Sequence, residues 1–170
     1  YGLPTGAECG GSATSTYGLQ SGAEGMLFMQ AAWDSQAHWL SGLGSCGNAV
    51  CMSAEMMLVQ LAWLRAAQFL RRGLAAPTAA DCRSLTERGP GAQFLEDDLT
   101  LANLRSGEFF ADPLFAVGGR PEGSVPLLER AHARVEELSG RAASPWTASQ
   151  QDCIRAFFAA EYRQADAAGW

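Results

Sequence analysis

Length, composition and charge exclude several classes of protein. The chain has 170 residues, of which 48% are hydrophobic and 18% are charged. It can therefore bury a substantial core and is not a disordered tail. The net charge of −6 gives no electrostatic basis for holding a phosphate backbone, because nucleic-acid binding depends on clustered Lys and Arg. We therefore expect a folded domain that does not bind nucleic acid.

The first part of the chain alternates short apolar segments with glycine-rich ones. Residues 1–9 predict a short strand that runs into a loop of Gly, Ser and Thr, and Gln20–Ser35 predict a helix. Residues 37–47 predict a second buried strand that ends in another glycine-rich loop. Two strand-loop-helix units in series are typical of a parallel α/β fold.

The remainder of the chain predicts helices. Residues 52–73 carry apolar side chains at helical spacing, and the segment ends in a basic pair and a glycine where a left-handed cap is expected. Thr78 and Asp81 are spaced as a capping box for a helix that the Gly-Pro-Gly of residues 89–91 would end. Two further amphipathic helices are expected at Ser124–Leu138 and Thr147–Ala168.

Cysteine usage and hydropathy bear on the compartment. The five cysteines are scattered, without a Cys-x-x-Cys pair, and neither histidine lies at zinc-finger spacing from two of them. The longest apolar stretch, between residues 52 and 64, is interrupted by polar side chains and is not a membrane span. We expect a reduced, cytoplasmic protein that binds no metal. The first residue, Tyr1, suggests a chain cut or processed from something longer.

The loops that leave the two predicted strands are the first candidates for a site. In parallel α/β folds these loops carry the chemistry, which points to Glu8–Thr16 and Ser41–Asn48. Both are rich in small residues, so a bulky substrate or cofactor could approach the backbone. The alternative is that their glycines only form tight turns. We expect the two loops to open into one shared, largely uncharged hollow.

Several motifs occur in order along the chain. They are YGLP at the start, Gln20-Ser21-Gly22, Glu55 before an apolar helix that ends in Arg-Arg-Gly, GPGAQFL (Gly89–Leu95), TLANLR and PLF within Asp97–Phe115, and ERAHARV within Leu127–Leu138. As an ordered set they resemble the C-terminal part of the trimethylamine methyltransferase family, in its corrinoid-dependent, non-pyrrolysine type. The resemblance covers Tyr1 to about Leu138.

The resemblance implies a TIM-type barrel that moves a methyl group from a methylated amine to the cobalt of a corrinoid. The corrinoid is supplied by a separate partner protein, and none is bound by this chain alone. Because a complete barrel takes about 250 residues, we expect an α/β fold that is a partial TIM-type (β/α) barrel, with the last strands plus C-terminal helices. Residues 1–140 would be the C-terminal portion of the barrel and residues 141–170 a helical tail. The missing barrel half or a second copy of the chain would cover the open sheet edge.

The resemblance also bears on the substrate. Founding members carry pyrrolysine in the first strand-end loop, where this chain has Gly11 beside Gly10. Members without pyrrolysine suggest a quaternary amine such as a betaine, whose nitrogen leaves neutral without acid help. Gly11 can then serve as space.

A cationic substrate calls for aromatic faces and carboxylates. The aromatic candidates are Tyr17, Trp39 and Phe94, each with core packing as its alternative. Glu8 and Glu55 are the candidate carboxylates. Glu55 stands in an apolar stretch, so it pairs, caps the helix start or faces the cavity.

Two polar side chains complete the set, and no catalytic residue is assigned. His38 is either a proton donor or a hydrogen-bonded structural histidine. Gln93 would face the mouth of the cavity, while Phe94 and Leu95 anchor the stiff Gly-Pro-Gly turn in the apolar body.

Departures from the family pattern leave a second function open. Residues 12–16 replace an acidic and lysine-containing motif, Leu61 and Ala62 replace an acidic pair, and Gln93 replaces a histidine. Each change removes a charge or a titrating group. The alternative to an enzyme is a non-catalytic binding or assembly module that retains the fold.

Overall fold

The computed structural model describes residues 2–116 and 125–168, with side chains up to Glu161. The fold is α/β and mostly helical. Its four short strands are β1 (Gly6–Glu8), β2 (Trp39–Ser41), β3 (Ser45–Cys46) and β4 (Cys51–Met52). The helices are α1 (Leu19–Asp34), α2 (Ala54–Arg72), α3 (Ala79–Arg88), α4 (Asp98–Ser106), α5 (Leu127–Arg141) and α6 (Ala148–Ala168).

The strands form two small sheets. β1 and β2 pair in parallel, with α1 as the connection between them, and β3 and β4 form an antiparallel hairpin. The parallel strand-helix-strand prediction is therefore confirmed, whereas the hairpin was not predicted. The described residues form no closed barrel.

The chain divides into two compact units. The first comprises Tyr1–Val135 and the second Glu136–Trp170. The first unit contains both sheets, α1 to α4 and the beginning of α5. In the second unit, Arg141 forms an i,i+4 ion pair with Glu137, and the rings of Phe157 and Phe158 meet edge to face on α6.

The apolar core of the first unit has two clusters. The first is built from the residue that follows β1 and from residues of α1 and α2, and the second from residues of β3, α2, α5 and the segment before residue 116. The first contains Cys9, Met29, Ala32 and Ala67; the second contains Cys46, Met56, Val59, Ala62, Leu114 and Ala131. Trp63 on α2 packs against both clusters, so one side chain joins them.

A buried amide fixes the hairpin to α2. Gln60 is fully buried; its Oε1 accepts from the Gly44 amide at 2.5 Å and its Nε2 donates to the Ser45 carbonyl at 2.9 Å. Both polar atoms of the amide are thereby satisfied, as burial requires. Gln60 thus sets the position of β3 on α2.

The helix ends follow the predicted chemistry in most cases. Thr78 Oγ1 accepts from the Asp81 amide at 3.2 Å, and Asp81 Oδ2 accepts from the Thr78 amide at 2.6 Å, so the predicted capping box is confirmed. Helix α3 ends at Arg88 and Gly89 follows with a φ of 72°, as expected. Gly73 departs from the prediction, because its ψ of −171° lies outside the left-handed cap.

The length and hydropathy of a helix decide whether it can span a membrane. Among the helices that the structure describes, none is both long and apolar enough to cross a bilayer.

The contact between Gly25 and Trp63 generates a prediction about stability. A Cβ at Gly25 would lie 2.1 Å from the indole ring, whereas a Cβ at Gly22, one turn earlier on α1, would meet nothing within 4 Å. Both Gly→Ala changes gain helix propensity of about 0.8–1 kcal/mol. We expect Gly22→Ala to raise the free energy of unfolding by that amount. Gly25→Ala should lower it by about 1–3 kcal/mol because of overpacking.

Urea denaturation of the two variants beside the wild type measures both changes. Because the substitutions are chemically identical and share a helix, only the indole contact separates them. Equal stabilities for the two variants would contradict the packing assigned to Trp63.

Candidate functional site

A cavity of about 310 Å³ lies between the beginning of α1, the first turns of α2 and the start of α5. Its walls are apolar and aromatic. They are formed by Tyr17, Gly18, Ser21, Gly22, Met56, Val59, Trp63, Pro126, Leu127 and Leu128. Its volume lies at the lower end of the range for small-molecule sites, about 300–1,000 Å³, so a small organic ligand could occupy it.

Two glycines of α1 shape this cavity. The ring of Trp63 lies where a side chain at Gly25 would be, while open space lies over Gly22. At the start of the same helix, Ser21 Oγ donates to the Gly18 carbonyl and accepts from the Gly18 amide, both at 2.9 Å. The helix therefore begins with its own polar groups paired and presents only small residues to the cavity.

Tyr17 is one aromatic wall of the cavity and is half-exposed. A hydrogen bond with the Cys46 side chain, partial burial, and the nearby charges of Cys46, Cys51 and Glu55 raise the pKa of Tyr17 to about 12. The phenol is therefore neutral at physiological pH. It can present its ring face and its hydroxyl, but it does not act as a base.

Glu55 does not line the cavity but lies close enough to Tyr17 to affect its pKa. Its Oε1 lies 2.9 Å from His132 Nδ1, and its Oε2 accepts from Ser53 Oγ at 2.7 Å. The hydrogen bond with His132, then that with Ser53, lower the pKa of Glu55 to about 2. The same serine caps α2 by accepting from the Met56 amide. The structure therefore holds an ionised carboxylate at the amino end of α2.

These features define what the site can bind. The cavity is apolar and has two aromatic side chains, Tyr17 and Trp63, in its walls. The Glu55 carboxylate is close enough to affect the pKa of Tyr17. Such an arrangement suits a small organic cation. Ring faces attract cations by about 0.5–2 kcal/mol each.

The strand-end residues lie elsewhere. A Cβ at Gly10 would lie 1.6 Å from the Gly42 carbonyl oxygen and 3.0 Å from Gln60 Oε1, and a Cβ at Gly42 would lie 2.9 Å from the exposed Glu8 side chain. Gly11, with a φ of 99°, has Ser45 beside it. The two strand ends therefore lie side by side, and their close packing contradicts the open space expected at Gly10 and Gly42.

His38 and Trp39 lie at the amino-terminal end of the parallel sheet. His38 Nδ1 accepts from the Thr5 amide at 3.1 Å, and the His38 amide donates to the Thr5 carbonyl at 2.8 Å. Trp39 is largely exposed, and its ring covers Gly6, where a Cβ would lie 1.9 Å from Nε1. Neither side chain lines the cavity. Of the alternatives for His38, this geometry fits the hydrogen-bonded structural histidine.

Gln93 and Phe94 belong to the turn between α3 and α4 and do not line the cavity either. Gln93 is exposed and Phe94 is half-buried, while Leu95 is 73% exposed, so its predicted anchoring role is wrong. The turn is instead fixed by Asp97, which is buried, forms an ion pair with Arg88 and accepts from the Leu99 amide at 2.8 Å. An ion pair across the turn replaces the expected apolar anchor.

Several site residues were not predicted from the sequence. Trp63, His132 and the pair formed by Cys46 and Cys51 belong to the site region because the chain folds back on itself. The small residues at positions 18, 22 and 25 are the one signal in the sequence, since they mark a face of α1 that a large side chain can approach.

Comparison with known proteins adds no assignment. No protein-family profile matches the chain, and no curated protein matches it significantly. Within the described residues, no group of three or more His, Cys, Asp or Glu side chains is placed to hold a metal ion.

The environment of Tyr17 predicts a distinctive titration. The difference in phenolate absorbance between the wild type and Tyr17→Phe should show one group with a midpoint near pH 12. Because the Cys46 hydrogen bond is the largest cause, Cys46→Ala should move that midpoint towards the ordinary tyrosine pKa of about 10. Cys82→Ala, at an exposed cysteine on α3, is the control and should leave it unchanged. A Tyr17 midpoint near pH 10 in the wild type would contradict the assigned contact.

The depressed pKa of Glu55 predicts acid-dependent stability. A carboxylate whose folded pKa is about 2, against 4.5 as its ordinary value, stabilises the fold above about pH 4.5. That contribution is lost as the pH falls towards 2. We expect the unfolding free energy to fall less steeply over this window in Glu55→Gln and in His132→Asn. Urea denaturation between pH 2 and 7 measures the slope.

His38→Asn is the control for the second variant, since His38 contacts Thr5 and no carboxylate. It should retain the wild-type slope. A His132→Asn protein with the wild-type acid dependence would show that the hydrogen bond with His132 does not lower the pKa of Glu55.

Proposed function

We propose that this chain is part of a corrinoid-dependent methyltransferase, and that its cavity binds the methylated ammonium group of a quaternary amine such as a betaine. The observation that carries the proposal is the cavity in which Tyr17 and Trp63 form aromatic walls. The ionised Glu55 lies outside the lining but close enough to affect the pKa of Tyr17. The ordered motifs shared with the trimethylamine methyltransferase family supply the reaction class.

The proposed reaction requires the chain mainly to bind and orient the substrate. When a quaternary ammonium ion gives up a methyl group, the carbon–nitrogen bond breaks, its electron pair stays on nitrogen, and a neutral tertiary amine leaves. No proton has to be delivered to the leaving group. A neutral Tyr17 phenol and a permanently charged Glu55 are consistent with a site that attracts positive charge in the substrate and releases a neutral product.

The methyl acceptor would be the cobalt of a corrinoid carried by a partner protein, which supplies the nucleophile. A cavity of about 310 Å³ suits an ammonium head group and leaves no room for a corrin ring within it. Tyr17, Trp63 and Glu55 would hold the substrate, and the chain itself would hold no cofactor.

The finer fold assignment follows the same proposal. β1 and β2, parallel and joined by α1, would be the last strands of a TIM-type barrel, with the helices from α3 onward as its C-terminal cap. The missing strands would come from the rest of the barrel or from a second copy, in a cytoplasmic setting.

A non-catalytic binding module is the second candidate. The observation that favours it is the close packing of Gly10 on Gly42, which closes the strand ends where barrel enzymes carry their chemistry. Such a module would keep the cation cavity and lack methyl transfer.

Binding is tested with choline and its neutral isostere 3,3-dimethyl-1-butanol, compared by calorimetry. Two aromatic contacts of the strength given above, together about 1–4 kcal/mol, predict a preference for the cation of roughly 5- to 900-fold. Gly22→Leu, which places a side chain in the open space over α1, should abolish binding. Gly140→Leu is the control, because a Cβ there also meets nothing within 4 Å but Gly140 does not line the cavity. Equal binding of the two isosteres would overturn the cation site.

Methyl transfer is tested with cobalt(I) corrinoid and glycine betaine, followed by the absorbance change of the cobalt. The wild type should respond and Gly22→Leu should not. Cation-selective binding without any response, after the rest of the barrel is supplied, would favour the binding module over the enzyme.

A further inference from the structure

The hairpin β3–β4 places two thiols together beside the cavity. Cys46 and Cys51 are directly opposite partners in the antiparallel register, and their sulfur atoms lie 3.3 Å apart. The turn between them contains Asn48 and Ala49 with φ values of 57° and 64°. Because non-glycine residues seldom adopt this left-handed conformation, the turn is unusual, and it brings the two cysteines face to face.

The backbone geometry suits a disulfide. Opposed residues of an antiparallel pair have Cα atoms about 4.5–5.5 Å apart, inside the range of about 4.4–6.8 Å that a disulfide spans. Closing the bond requires only that the sulfur atoms move from 3.3 Å to about 2.05 Å. Side-chain rotation can supply that change.

We propose that Cys46 and Cys51 are a reversible thiol–disulfide pair, oxidised by exchange with a small-molecule disulfide of the glutathione class. The proposal is independent of which ligand the cavity binds.

The two thiols differ in access, which sets the order of events. Cys51 is exposed, whereas Cys46 is only 5% exposed. The Cys51 thiolate therefore attacks the small disulfide first, which breaks its sulfur–sulfur bond and expels one small thiol. The Cys46 thiolate then attacks the mixed disulfide on Cys51 and expels the second small thiol. The protein loses two thiol protons and two electrons, and the reagent gains both.

The remaining cysteines lack a partner of this kind. Cys9 is buried and its thiol donates to the Ser41 carbonyl at 3.2 Å. Cys82 and Cys153 are exposed free thiols on α3 and α6. An exchange reagent can reach these two, but each should stop at a mixed adduct.

The thiol pair adjoins the cavity, because Cys46 packs in one core cluster with Met56 and Val59, which line it. Oxidation should therefore affect the environment of Tyr17, another wall residue. The hydrogen bond with the Cys46 side chain is the largest cause of its raised pKa. A disulfide sulfur carries no thiol proton and cannot become a thiolate. The pKa of Tyr17 should therefore fall towards its ordinary value when the pair is oxidised.

The test uses a Cys82→Ser/Cys153→Ser background, incubated with oxidised glutathione at mildly alkaline pH and analysed by peptide mass mapping and thiol counting. The expected product is a Cys46–Cys51 disulfide, with two thiols lost and no adduct retained. A mixed adduct that persists on Cys51, or an unreacted pair, overturns the proposal.

Single variants in that background check the order of attack and do not depend on ring closure. Cys46→Ser should accumulate a stable glutathionyl adduct on Cys51, whereas Cys51→Ser should leave Cys46 unmodified. Equal modification of both variants would refute the assigned roles. The phenolate titration provides a separate readout, because a Tyr17 midpoint that is the same in the oxidised and reduced proteins contradicts the link to the cavity.

Discussion

The arrangement of the first unit depends on one buried amide. Both polar atoms of the Gln60 side chain form hydrogen bonds with the backbone of Gly44 and Ser45, and the side chain has no contact with water. An unpaired amide in that place would cost about 1–3 kcal/mol, so the segment that enters β3 has to stay against α2. Gly10 and Gly42 can pack against each other above the same amide because neither carries a side chain.

Helix α2 then supplies three residues of the cavity wall, Met56, Val59 and Trp63. Its cap residue Ser53 and its first-turn Glu55 lie at one end, and Trp63 lies two turns further along. The carboxylate is favoured at this end because the helix dipole is positive there. His132 on α5 hydrogen-bonds to this carboxylate. A single helix therefore fixes the position of Trp63 relative to the carboxylate of Glu55.

Sequence reasoning succeeded where the signal is local. The periodicity of α1 and α2 and the capping box at Thr78 follow from patterns within a few residues. The parallel pairing of β1 with β2 followed from the order of strand and helix along the chain. It failed where contacts join distant segments. The glycines at the strand ends were assigned to open space, yet Gly10 serves a contact with residue 42 that no local pattern encodes. Similarly, the composition of the Phe94–Leu95 turn does not show that Asp97 and Arg88 fix it.

The same limitation explains why the cysteines looked unrelated. Four residues separate Cys46 from Cys51 in the sequence, which matches no common redox or metal spacing, and only the left-handed turn makes them neighbours. Cys46 packs in one core cluster with Met56 and Val59, which line the cavity, so a covalent change at the hairpin would occur next to the cavity wall. The apolar walls of the cavity offer few polar groups through which a change outside the cavity could affect a ligand. Tyr17 lines the cavity, and its pKa depends on both the cysteine pair and the Glu55 charge.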